Sequence, residues 1–312
     1  MSYLETQRQK AIRLRNEIFK DSGRGVFKGI ERDFVLKEPK LNIWAGVRED
    51  VLAYFNRYQI PFWDSGNMPT GHLLSSQIAC VNHLYFLRQR QDVATAILKG
   101  VDKDVRNAIK LDNGMPDNGF VDFEVIGAKN YLGERLHTRG ANSTSVDAVM
   151  LAEMQTRQRK LFFIEWKYVE QYKSQPSKAE GESGETRIKT YKTLLESSDC
   201  PFKPANIEGL FTEPYYQLMR QTLLAKEMSK AKEYGASDYQ HLHIIPMANK
   251  ELKDVNTAAG KLVGLNLQET WTNLLKSPDK YKVIDPKDFI SPASVCNDVL
   301  TWIKYLEQRY WD

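Results

Sequence analysis

Asp147, Glu165 and Lys167 are the residues of this chain whose types and spacing best suit joint chemistry. Glu165 and Lys167 flank Trp166 at the end of Leu161-Phe162-Phe163-Ile164, an apolar run that reads as a buried strand. Residues two apart on a strand project from one face, about 6.6 Å apart along it, so this carboxylate and ammonium point together. Upstream, Asp147-Ala148-Val149-Met150-Leu151-Ala152 reads as a second strand, with polar Gln155 to Lys160 as the turn between the two. Such a hairpin sets Asp147 beside Glu165 and gathers two carboxylates and one lysine in a small volume.

That set suits a hard divalent cation beside a phosphate. Mg2+ takes oxygen ligands at roughly 2.0–2.1 Å, from one or two carboxylates plus waters and phosphate oxygens. The backbone carbonyl of Trp166 is a candidate third ligand. A cation there lowers the pKa of a bound water and offsets charge on the phosphate. Lys167 is expected to orient that water and neutralise developing charge as a point cation. The expected chemistry is Mg2+-dependent phosphodiester hydrolysis, with Mn2+ able to substitute. The bland alternative for the three residues is a partly exposed cross-strand ion pair.

Spacing alone carries little. Glu-x-Lys occurs at Glu38-Pro39-Lys40, Glu165-Trp166-Lys167 and Glu251-Leu252-Lys253, and Asp285-Pro286-Lys287 is close to it. Glu38 and Glu251 sit in polar, irregular or helical surroundings, and no acidic strand precedes Asp285 at hairpin distance. Only Glu165 combines an apolar strand, an upstream aspartate on a neighbouring strand and a helix before both.

The elements that must position these groups follow from periodicity. Residues 3–20 read as a basic helix, with Arg8, Lys10, Arg13 and Arg15 among Ala11, Ile12, Leu14 and Ile18; a solvated face is preferred there to DNA contact. A glycine-rich interruption follows, then a helix near 46–58 and a turn-rich loop over 61–71. His72 to Leu87 has apolar residues at helical spacing, yet it carries Ser75, Gln77 and Asn82, which must bond the core backbone or line a site. A helix over Asp92 to Val101 precedes strands at 120–127, 143–153 and 160–169. Glu170 to Glu185 lacks a core pattern and reads as a mobile loop. Helices are expected at 185–197 and 213–233, a strand at 239–247, and mostly helix over 251–312 with a short strand near Tyr281 to Ile284.

With 312 residues, 42% hydrophobic and 27% charged, the chain can bury a sizeable core. No run of 18 apolar residues occurs, so no membrane span is expected. No signal peptide is visible at the N-terminus. Cys80, Cys200 and Cys296 are too few and too scattered for a zinc site or a disulfide framework, which points to a reducing cytoplasm. A net charge of +4 permits a nucleic-acid partner without demanding one. Phosphate-loop, dinucleotide-fingerprint and nucleophile-elbow motifs are absent, so nucleotide hydrolase, dehydrogenase and serine hydrolase readings have no support.

The order helix, three strands, helix, strand, with Asp147 and then Glu165-Trp166-Lys167 on the second and third strands, resembles the PD-(D/E)XK nuclease superfamily. The resemblance covers about 70–250 and implies an α/β mixed-sheet, restriction-endonuclease-like core of order α-β-β-β-α-β with helical additions at both ends. The expected division is 1–69, 70–250 and 251–312. It implies Asp147 and Glu165 as Mg2+ ligands and Lys167 as the catalytic lysine. Val146 stands where the superfamily's name motif has proline. Gln77 stands near the position where some members carry an acidic residue on the first core helix, and Gln217 and Arg220 are implied to lie near the site.

Other residues leave alternatives open. Glu124 is placed either at the same site or on the solvent side of its strand, the latter slightly preferred. Lys189 and Lys192 are candidates for phosphate contact, against the commoner solvated helix face. His241 and His243 lack a third partner and read as structural. The expected activity is a restriction- or defence-type endonuclease acting on double-stranded DNA. The rivals are a structure-selective repair or recombination nuclease and a catalytically inactive nucleic-acid-binding protein of the same fold. DNA and RNA are not distinguished, and a C2 homodimer would suit a palindromic site.

Overall fold

The computed structural model describes residues 1–312 apart from 22–23, 115, 141–142, 173–175, 205–206, 255–265 and 312. Before the main sheet come α1 (Tyr3–Glu17), a small hairpin of β1 (Gly25–Phe27) and β2 (Ile30–Arg32), α2 (Arg48–Arg57), α3 (Ser76–Leu84) and α4 (Gln91–Val101). The sheet strands are β3 (Val105–Ile109), β4 (Val121–Val125), β5 (Val146–Met154), β6 (Arg159–Trp166), β7 (Asp238–Ile244) and β8 (Tyr281–Ile284). Helices α5 (Gly181–Leu195) and α6 (Tyr215–Lys230) lie between β6 and β7. Helices α7 (Lys250–Lys253) and α8 (Leu267–Leu274) precede β8, and α9 (Pro286–Ile290) and α10 (Leu300–Arg309) follow it.

The sheet is mixed, as expected. β4, β5 and β6 run antiparallel, and β7 and β8 add to them in parallel. One edge of β5 serves two partners: β4 pairs with Val146 to Met150, and β3 with Leu151 to Met154. Both faces are covered, which is why β5 and β6 read as nearly continuous apolar runs. Ala148, Met150, Phe162, Ile164 and Trp166 join the core that contains Ile78 of α3, Ile97 of α4 and Trp302 of α10. Val149, Leu151, Leu161 and Phe163 join the core that contains Leu218 and Met219 of α6 and Trp271 of α8.

Two polar residues of α3 have structural explanations. Ser75 caps the helix by accepting from the Ile78 N–H, so the helix starts at Ser76 rather than His72. Asn82 is fully buried: its Oδ1 accepts from the Trp44 N–H at 2.8 Å, and its Nδ2 donates to Asn42 O and to Tyr310 Oη. It therefore bonds the core, as one of the two expected readings had it.

Two elements differ from expectation for local reasons. β3 is an additional strand, hidden because its register shifts between Val105 and Asn107 and breaks the period-two pattern. The β1–β2 hairpin lies inside the glycine-rich interruption, with strands of three residues and an exposed second strand. Helix α5 begins at Gly181, shortening the loop expected over 170–185, of which 173–175 lie outside the described residues.

Candidate active site

Register builds the site. Phe123 pairs with Ala148, Val125 with Val146, and Ala148 with Ile164, so Glu124, Asp147 and Glu165 form one row across β4, β5 and β6. The row continues to His243 on β7. Glu124, for which the solvent side was slightly preferred, turns inward and is half-buried. It takes a left-handed backbone, φ 49°, so the alternation of β4 breaks there and Val125 enters the core beneath α6. A non-glycine residue in that region stores on the order of 1–3 kcal/mol of strain, a feature that clusters at functional sites.

Each carboxylate of the row is engaged by donors from a different element. Asp147 Oδ2 accepts the backbone N–H of Trp166 at 2.6 Å. Glu165, almost fully buried, accepts from Lys167 Nζ at 2.7 Å and Gln217 Nε2 at 2.7 Å on one oxygen, and from Gln221 Nε2 on the other. Glu124 accepts from Gln77 Nε2 at 2.9 Å and Ser145 Oγ at 3.0 Å. Gln217 Oε1 in turn accepts from Lys167 Nζ at 2.8 Å, so this glutamine bridges the carboxylate and the ammonium. Gln77 also reaches back to the loop before it, where its Oε1 accepts from the Trp63 N–H at 2.9 Å.

The electrostatics follow from crowding. Burial, then the negative charges of Glu165 and Glu124, push Asp147 well above the ordinary carboxylate range. Burial also raises Glu124, with Glu165 adding to it against the bonds from Gln77 and Ser145. For Lys167, burial favours the neutral amine, but the negative groups around it, Glu165 foremost, outweigh burial and raise its pKa well above the usual value. Burial pushes His241 down to about 3 and His243 well below its ordinary value, with the Lys167 charge adding to both, so neither ring is protonated at neutral pH. His243 bonds Tyr281 Oη through Nδ1 at 2.9 Å.

Asp147, Glu165, Lys167, Gln217 and, through Glu124, Gln77 are thus brought together. Trp166 meets the site through its N–H, while its ring is buried in the core beneath α3. Arg220 is occupied internally: its guanidinium lies 3.9 Å from Glu134, 3.4 Å from Thr144 Oγ1 and 4.6 Å from the centre of the Tyr216 ring. Lys189 and Lys192 are exposed on α5, and Lys192 lies 3.8 Å from Glu196. Gln221 was not anticipated. Its signal was present, since it lies four residues after Gln217 on the same helix face, among the buried Leu218, Thr222 and Leu224. Among the described residues, no group of three or more His, Cys, Asp or Glu side chains stands in metal-ligand geometry, because each carboxylate is turned onto its own donors. The row nonetheless suits a hard cation: its donors are carboxylate oxygens, and the crowded negative charge that raises Asp147 is what such a cation offsets.

The fold defines a restriction-endonuclease-like protein, with the mixed sheet and flanking helices of that class. Within it, the chain belongs to the family described as Restriction Endonuclease associating with ARP, whose model matches residues 13–311. The comparisons with curated proteins and with solved structures gave no match.

Proposed function

We propose that this protein is a Mg2+-dependent endonuclease that hydrolyses DNA phosphodiester bonds in a restriction or defence role. The observation that carries the reading is the row of Glu124, Asp147 and Glu165 with Lys167 bonded to its end. Asp147 and Glu165 hold the cation, Glu124 supplies a further carboxylate, and the Trp166 carbonyl is a candidate additional ligand. When bound, the cation lowers the pKa of water and offsets charge on the phosphate.

The remaining roles belong to the chain's own groups. The Lys167 ammonium, kept charged by its neighbours, neutralises charge developing on the phosphate and orients the attacking water. Gln217 and Gln221 fix the Glu165 carboxylate, and Gln217 sets its distance to Lys167. Gln77 orients Glu124. Gln77 stands near a position where some members of the superfamily carry an acid; here it donates to Glu124 instead, whose carboxylate favours the catalytic reading over the inactive one.

The test is cleavage of plasmid DNA by the purified chain with Mg2+ or Mn2+. Wild type should nick or cut the plasmid, and Asp147→Asn and Lys167→Ala should each lower the rate at least on the order of a hundred-fold. Equal rates in wild type and both variants would assign the cutting to another site or a contaminant. Duplex, flapped and branched substrates, with RNA alongside, then separate sequence reading from shape reading.

A further inference from the structure

Beside the carboxylate row lies a second feature that the nuclease chemistry does not use. A cavity of about 430 Å3 opens where β4 leaves the sheet, within the roughly 300–1,000 Å3 range of small-molecule sites. Tyr58 and Tyr234 supply aromatic surface to it, Phe123 of β4 lies in its wall with its ring buried in the core, and Asp112, Asn113 and Arg139 supply polar edges. Arg139 ties this pocket to the site: its Nε donates to Glu124 O at 2.8 Å and a terminal nitrogen donates to Tyr58 O at 3.1 Å. Phe123 precedes Glu124 directly in β4, so pocket and carboxylate row share one strand end.

Part of the cavity lining is held by unusual backbone. Lys232 and Tyr234 are left-handed, φ 55° and 53°, and Glu233 between them accepts the Ala128 N–H at 2.7 Å. That arrangement fixes Tyr234 at the cavity against a local conformational preference. Asn113 Nδ2 donates to Asp122 Oδ2 at 3.0 Å, which fixes the orientation of its amide.

We infer that this cavity receives a nucleobase turned out of the DNA duplex next to the scissile phosphate. The aromatic rings stack on the base, Asp112 accepts from an exocyclic amino group, as on cytosine, and Asn113 contributes polar contacts to the base edge. The inference rests on the DNA-cleaving function proposed above. A base that is already unpaired is the easiest to place there, because less pairing and stacking must be broken.

The experiment uses the full-length chain in EDTA and measures binding by fluorescence anisotropy. The probes are a paired duplex, the same duplex with one unpaired cytosine, and the same duplex with an abasic position there. The unpaired cytosine should bind on the order of ten-fold tighter than either other duplex. Tyr234→Ala should lose that preference and Tyr234→Phe should keep it, with thermal unfolding confirming that both variants fold. Equal affinity for all three duplexes, or an undiminished preference in Tyr234→Ala, overturns the inference. So does tight, Tyr234-dependent binding of free deoxycytidine monophosphate without any duplex preference, which would assign the pocket to a free nucleotide. Plasmid cleavage by a protein that binds all three duplexes alike removes the pocket and leaves the nuclease reading standing. A preference in a protein that never cuts does the reverse.

Discussion

Asp147 lies between two like charges in a partly desolvated setting, and its proton is held well above the ordinary carboxylate range. The unfolded chain releases the same proton near pH 4. The folded state therefore binds more protons between those two values, and the Asp147 contribution to stability falls as pH rises towards the folded value. On the proposed function, a cation bound at the row would compete with that proton. Saturating Mg2+ should accordingly raise Tm more at about pH 8 than at about pH 5.5. Calorimetry checks this, and an Asp147→Asn variant should show a much flatter response. An equal Mg2+ effect at both pH values, matched by the variant, would place the cation elsewhere. Gln221 makes the second prediction at this scale. Its amide donates to the buried Glu165 and to Ser145 O, so Gln221→Ala leaves both acceptors short of a donor. Stability should fall by about 1–3 kcal/mol in urea titrations, and plasmid cleavage should fall with it.

Among the elements, β4 depends on one buried cation. Arg88 is 1% exposed, bonds Asp122 Oδ1 and Val121 O at 2.7 Å each, and lies 4.0 Å over the Tyr54 ring. Arg88→Met leaves Asp122 with one donor, Asn113, in a desolvated place, and should destabilise the protein by about 3–5 kcal/mol. Adding Asp122→Leu to that variant should restore much of the loss in denaturant titrations; a double variant as unstable as the single would refute the ion-pair account. The elements most legible in the sequence were those with strong apolar patterns: α4, the β5–β6 hairpin, β7 and the short β8. Pairing of Asp147 with Glu165 followed directly from the hairpin, because its register leaves no other partner. Glu124 escaped because alternation assumes an extended backbone, and its left-handed φ breaks that assumption at the one position where it matters. Gln77 was legible as a polar residue in need of a partner, but that partner sits on a strand 47 residues away. β3 was hidden by its register shift, a feature set by pairing rather than by local pattern.

At the scale of the whole molecule, the two ends of the chain share one core with the sheet. Ala11, Trp302, Leu306 and Tyr310 belong to the same buried cluster as Ile78 and Ile164. The Trp302 indole donates to Asn82 O, the Trp311 indole to His83 Nε2, and Arg309 donates to Asn42 O at 2.6 Å. Removal of residues 300–312 should abolish the cooperative thermal transition rather than trim a dispensable tail; a truncated chain with a sharp transition near that of the full chain would contradict this. The same contacts carry a consequence in time. Gln77, which orients Glu124, sits on α3, and α3 is bonded to residues that are translated more than 200 positions later. A nascent chain can pair β5 with β6 early, yet α3 lacks its last partners until residues 300–311 have left the ribosome. If the nuclease function proposed above holds, the row that Gln77 helps to orient would reach its full packing only after residues 300–311 have been made.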